Sequence, residues 1–208
     1  MTSSHFTGLK LDGCGPANNL TRWAELINET GTPIAIENCH WGQTVPTGKK
    51  LPPPPPPPSS SFVGVSPKDD GYCAGLSYPS ECPYNFYRAS GDVINSFERV
   101  HANVHAVVPF LGDVPLSRPG AWAYADGLEL GRMSSKFADN EDKTIFGWYV
   151  ISSQPLYLGH NISDSATNDR VWNIVANTEA IAINQQWNGH PGKSEKAATQ
   201  QRESARGH

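Results

Sequence analysis

The chain has 208 residues, of which 38% are apolar and 17% charged, with 19 Gly and 18 Pro. The apolar share lies below the roughly 45–50% (glycine included) of ordinary globular chains, which predicts one domain with long loop or linker segments. A formal net charge of −4 argues against the basic stripe of a nucleic-acid binder, and no apolar run reaches the about 18 residues that span a bilayer.

Gly8 to Asp12 reads as a short strand closed by the tight turn Gly13-Cys14-Gly15-Pro16. Leu20, Trp23, Ala24, Leu26 and Ile27 then recur with a helical period, which Gly31 and Pro33 end. Pro33 to Glu37 is the next strand candidate, so strand, helix and strand follow one another at βαβ spacing. Residues 46–81 break this rhythm. Pro52 to Pro58 are seven consecutive prolines followed by three serines. Such a run favours polyproline II and lacks backbone donors, so it cannot enter a sheet. It reads as an insertion loop.

Regular structure resumes after Cys82. Asn85 to Arg88 reads as a strand, and Val93 to Val108 as a helix with apolar residues at 93, 94, 97, 100, 104, 107 and 108. Ala121 to Asp126 is a strand candidate, Glu141 to Ile151 a helix, Pro155 to Leu158 a fifth strand and Asp169 to Ile181 a last helix. From Gly189 onward the chain is polar and aperiodic, a predicted tail over 193–208. Strands alternating with helices predict an α/β fold with a parallel sheet. Right-handed crossovers put every strand's C-terminal end on one edge, where barrels and doubly wound sheets carry their chemistry.

The unusual polar and aromatic residues fall on those ends. Lys10 and Asp12 close the first strand, and Cys39, His40 and Trp41 follow the second. Arg88 ends the third with Asp92 just beyond, Trp122, Tyr124 and Asp126 lie on the fourth, and Tyr157 and His160 end the fifth. Asp12 and Asp92 suggest paired carboxylate chemistry of the glycosidase kind, in which a retaining mechanism needs a separation of about 5–5.5 Å. Alternation places Lys10 on the face of Asp12, where a cation keeps a nucleophilic carboxylate ionised. Arg88 is suited to clamp a hydroxyl or orient a carboxylate.

The four cysteines, at 14, 39, 73 and 82, form no CxxC pair. Sequons begin at Asn19, Asn28 and Asn161. They predict glycosylation on the secretory route, where disulfides persist. No charged segment followed by an apolar stretch comes after Met1, so no signal peptide is expected in these residues.

Several of these segments resemble a known family. Leu9-Lys10-Leu11-Asp12-Gly13-Cys14 is similar to the nucleophile motif of the family 27 glycoside hydrolases, the melibiase or α-galactosidase family. Glu37-Asn38-Cys39-His40-Trp41-Gly42 resembles its next strand end, in the wording of plant and algal members, and Tyr87-Arg88-Ala89-Ser90-Gly91-Asp92 resembles its acid/base motif. Trp122 to Asp126, Ser152 to Leu156 and Ala180 to Gln185 follow in the family's order, the last resembling the segment that closes its barrel.

The resemblance implies part of a (β/α)8 TIM barrel over residues 1–192, equivalent to strands 4 to 8, in an N-terminally truncated chain. It implies a retaining exo-glycosidase acting on terminal α-galactosyl groups of a carbohydrate substrate, without metal or cofactor and with no nucleic-acid or membrane partner. Asp12 matches the nucleophile and Asp92 the general acid/base. Lys10, Cys39, His40, Trp41, Arg88 and Asp126 match substrate-contacting positions, and Cys39 and Cys82 match a disulfide. Cys14 matches a bonded cysteine whose partner would lie upstream, and Cys73 lies in the insertion. His40 stands where many members have Glu, and Ala125 and Gly127 replace the usual Pro and Met. These departures leave open β-L-arabinopyranose or α-N-acetylgalactosamine as the sugar, whereas the missing first three strands leave open an inactive fragment, beside a lectin-like module, as an alternative to an enzyme. The expected location of the full-length protein is extracellular, vacuolar or lysosomal.

Overall fold

The computed structural model describes residues 6–12, 19–39, 83–111 and 117–192. The predicted insertion over 46–81 and the tail over 193–208 lie outside them. Four strands, β1 (Gly8–Leu11), β2 (Ala35–Asn38), β3 (Phe86–Arg88) and β4 (Trp122–Tyr124), form a parallel sheet in sequential order. Helices α1 (Leu20–Thr30), α2 (Phe97–Val107), α3 (Ala138–Ile151), α4 (Ser165–Val175) and α5 (Thr178–Gln185) complete the α/β pattern, and a short 3₁₀ turn over Val108–Leu111 follows α2. Among the described residues, no helix is long and apolar enough to cross a membrane.

Local chemistry fixes the helix ends. The Asn19 side chain accepts a hydrogen bond from the Arg22 amide at 2.9 Å and caps α1. Gly31 ends the helix at φ 67°, a left-handed conformation that glycine adopts without a Cβ clash. Leu20 is fully buried, and Trp23, Ala24 and Ile27 pack on the core, whereas Leu26 is exposed. The predicted α2 loses its first turn. Ser96 caps it, and Val93 sits in the preceding loop because its amide donates to the Asp126 carboxylate at 2.8 Å. Ile94 is exposed as a consequence.

The fifth predicted strand, Pro155–Leu158, is reduced to one parallel bridge between Leu128 and Leu158. Gln154 accounts for this. Its side-chain carbonyl accepts the Ala125 amide at 2.7 Å, taking the place of a backbone partner next to β4. Pro155 has no amide to donate. The helix predicted over Asp169–Ile181 is two helices, because the Asn177 side chain accepts from the Ala180 amide and starts α5. The segment Ala180–Gln185, expected to close a barrel, is therefore helical. Asn184 on α5 donates to the carbonyls of Tyr149 and Gln154 at 3.1 and 2.9 Å. Just before the predicted tail, Pro191 is buried, and the Gly192 amide donates to the Ile151 carbonyl at 2.9 Å.

Tyr84, Tyr87, Phe110, Leu128, Leu130 and Ile145 are among the largest fully buried side chains between sheet and helices. Asp142 on α3, fully buried, pairs with Arg170 on α4 at 2.6 Å and accepts the Gly131 amide at 3.1 Å. Gly131 has φ 79°, and a Cβ there would lie 2.4 Å from Thr167 Cγ2. Gly131→Ala is expected to lower unfolding free energy by about 1–3 kcal/mol, the scale of a strained left-handed residue. A urea titration checks this, and an unchanged midpoint would contradict it.

Candidate active site

The sheet register decides which side chains share a face. Lys10 is paired with Glu37, Glu37 with Phe86, and Phe86 with Trp122. With the two-residue alternation of strands, one face carries Lys10, Glu37, Phe86, Arg88, Trp122 and Tyr124. The opposite face carries Leu11, Ile36, Tyr87 and Ala123, all buried in the core under the helices. The polar face is the one that bears the candidate site.

Arg88 is its centre. Its side chain is only 3% exposed, and Nη1 lies 2.6 Å from Asp92 and 3.3 Å from Asp126. Asp92 is 78% exposed and Asp126 14% exposed, so one guanidinium joins an open carboxylate to a sheltered one. Helix α2 holds the loop that bears Asp92. Asn103 donates to the Gly91 carbonyl at 2.8 Å, and Arg99 Nε donates to the Asp92 carbonyl at 3.0 Å. Asp126 has φ 126°, a region that persists for a non-glycine residue only where the surroundings over-determine it. They do so here: its carboxylate accepts the amides of Val93 and Gly127, each at 2.8 Å, and its carbonyl accepts the Tyr149 hydroxyl at 2.6 Å. The Ser90 hydroxyl also donates to the Ala125 carbonyl, joining the two loops.

A second cluster adjoins the first. Lys10 Nζ lies 3.6 Å from buried Glu37, which also accepts the Tyr124 hydroxyl. The Tyr124 and Tyr157 rings meet edge to face at 5.5 Å. Burial pulls the Lys10 ammonium down, but Glu37, Cys39 and Asp126 outweigh it and leave it above its ordinary value. Burial pushes the Cys39 thiol up to about 11, and that thiol lies within electrostatic reach of Arg88, Lys10, Asp12 and Glu37. Asp12, exposed just after β1, thus belongs to the same neighbourhood.

Of the predicted site residues, Lys10, Asp12, Cys39, Arg88, Asp92 and Asp126 are brought together at the strand ends. His40, Trp41, Cys82, Cys14 and Cys73 lie outside the described residues, and Cys39 is a buried free thiol among the described ones. Asn19, Asn28 and Asn161 are all exposed. His160 bonds Asn168 at 2.9 Å instead of the Arg88 cluster. Glu37 was not singled out by the sequence reading, although an acid inside the run Ala35-Ile36-Glu37-Asn38 is itself a signal, since a buried charge needs a partner.

Burial raises the carboxyls of Glu37, Glu129 and Asp142 above the usual range, despite Lys10, Arg132 and Arg170 respectively. The folded chain then holds more protons than the unfolded one between the ordinary and the raised values. The stability this contributes is fully present below the unfolded value and is lost as pH rises through the folded values. The thermal midpoint is expected to fall over the window that opens at the ordinary carboxylate values, about pH 4, and runs upward from there, with a shallower fall in Glu37→Gln. A midpoint that climbs over this window by the same amount in both proteins would contradict the assignment.

A parallel β/α sheet with carboxylates and cations on its C-terminal edge is the arrangement of a segment of a β/α barrel. No protein-family model matches the chain. It is 28% identical over 172 residues to the α-galactosidase mel1 of Schizosaccharomyces pombe, covering 82% of this chain and 36% of that protein. It is 26% identical to an α-galactosidase of Saccharomyces paradoxus, covering 81% and 32% respectively. Its fold matches the crystal structure of α-galactosidase I from Mortierella vinacea with a TM-score of 0.54 at 18% identity, over 89% of this chain and 45% of that one. The chain is thus similar in sequence and fold to α-galactosidases, and it spans about a third of the length of the curated relatives it matches.

Proposed function

We propose that this chain carries the catalytic carboxylates of a retaining glycosidase that releases terminal α-galactosyl groups. The observation that carries the reading is the placement of Arg88 between Asp92 and Asp126, with Arg88, Lys10 and Asp12 all within electrostatic reach of Cys39 at the strand ends. In this reading Asp12 attacks the anomeric carbon while Asp92 gives its proton to the leaving oxygen. A covalent glycosyl-enzyme forms, and Asp92 then takes a proton from water as that water attacks and frees the Asp12 carboxylate. Arg88 and Asp126 contact sugar hydroxyls, and Lys10 keeps the nucleophile's surroundings cationic. The relatives' names favour galactose over arabinopyranose or N-acetylgalactosamine. The sequons support a secretory route for the protein.

Hydrolysis of an aryl α-galactoside followed by proton NMR tests the proposal. The α-anomer of galactose is expected to appear first, and turnover of the matching β-L-arabinopyranoside to be slower. First appearance of the β-anomer would overturn the retaining assignment, and faster release from the arabinoside would overturn the substrate.

A further inference from the structure

Helix α2 has a second chemistry on its solvent side, independent of the glycosidase reading. His101 and His105 are one helical turn apart, both exposed, with ring centroids 4.3 Å apart and planes inclined at 58°. Side chains four residues apart on a helix lie on one face. Trp148 of α3 packs against His101 at 5.3 Å and also stacks on Phe97 at 5.6 Å. The His101 ring is therefore buttressed rather than free to rotate. We propose that His101 and His105 form a two-imidazole clip for a divalent transition-metal ion on the outer face of α2.

The geometry suits the ion. Two nitrogens each about 2.0–2.1 Å from one metal lie about 3 Å apart, a spacing open to rings whose centres are 4.3 Å apart. The neutral imidazole is the ligating form, and both rings are presented to solvent on one helix face. A histidine pair four apart on one helix face is also how helical zinc sites hold their metal, but there a glutamate follows the first histidine and acts as the base. Ala102 occupies that position here. Among the described residues no cluster of three or more ligating side chains exists, so water completes the coordination. The site is one for binding, not hydrolysis. Two imidazoles favour Cu²⁺ over Zn²⁺ and exclude Mg²⁺, which prefers oxygen.

Titration of the full chain with CuCl2, ZnCl2 and MgCl2, by calorimetry and tryptophan fluorescence, tests this. One Cu²⁺ is expected to bind saturably and quench the indole emission, Zn²⁺ to bind more weakly, and Mg²⁺ to give no heat. His101→Asn and His105→Asn should each weaken Cu²⁺ binding by about tenfold or more, as loss of even an outer-shell partner does. His190→Asn should leave it unchanged. Trp148→Phe should keep the affinity but lose most of the quench. Far-UV circular dichroism confirms that each variant is folded. The thermal midpoint should rise with Cu²⁺ in the wild type and not in either α2 variant. Wild-type affinity in folded His101→Asn or His105→Asn, or a quench that survives Trp148→Phe, would overturn the proposal.

Discussion

Asp12→Asn is expected to reduce turnover of an aryl α-galactoside by at least about a thousandfold, because the amide cannot form the glycosyl-enzyme bond. Asp92→Ala should cost about 10²–10⁴-fold, the range for one acid/base group. The two losses separate by rescue. Azide attacks a glycosyl-enzyme without needing a base, so it should restore turnover to Asp92→Ala and give the α-galactosyl azide. Azide should not restore a retained product to Asp12→Asn, because no glycosyl-enzyme forms there. Asp92 is 78% exposed and Asp12 is exposed, so circular dichroism spectra and melting curves should match the wild type. A retained azide product from Asp12→Asn would exchange the two roles. Wild-type turnover in either variant would remove both.

The second large effect falls on Arg88. Arg88→Met keeps the length and apolar stem but leaves Asp126, 14% exposed, without its guanidinium. Removing one partner of a buried pair costs about 3–5 kcal/mol. The denaturant midpoint should therefore fall steeply, and galactoside turnover with it. Arg88→Lys restores charge but not the planar guanidinium whose Nη1 reaches both Asp92 and Asp126. It is expected to recover part of the stability and little of the activity. If both variants unfold at the wild-type midpoint, Arg88 is not the strut that the 2.6 and 3.3 Å contacts describe. The Asp126 carboxylate would then be held by the amides of Val93 and Gly127.

How far the sequence reaches is visible in particular residues. Periodicity located β1 to β4 because four apolar-rich runs are bounded by Gly, Pro or Asn. It overextended α2 because Val93 and Ile94 fit the helical period, while the carboxylate that captures the Val93 amide comes from Asp126, 33 residues away. It merged α4 and α5 because the apolar face continues across Asn177, and a side-chain cap interrupts a helix without interrupting its pattern. The Pro155 segment failed as a strand for a similar reason. Gln154 satisfies the amide that the ladder would have used.

The chain's own residues determined the parallel α/β class and which side chains stand at strand ends, because alternation and short-range turn chemistry are local properties. They also pointed to Asp12, Arg88, Asp92 and Asp126 on one edge, since strands joined by helical crossovers run parallel and end on the same side. Only the tertiary structure decided that one arginine serves two carboxylates, that Glu37 sits between Lys10 and Tyr124, and that Asp126 is held in a strained backbone conformation. Each of these depends on a contact between groups far apart in the chain, Arg88 with Asp126, Glu37 with Tyr124 and Asp126 with Tyr149, at sheltered positions. There an unpaired charge is too costly to leave, and the choice of partner belongs to the packing, not to the local pattern.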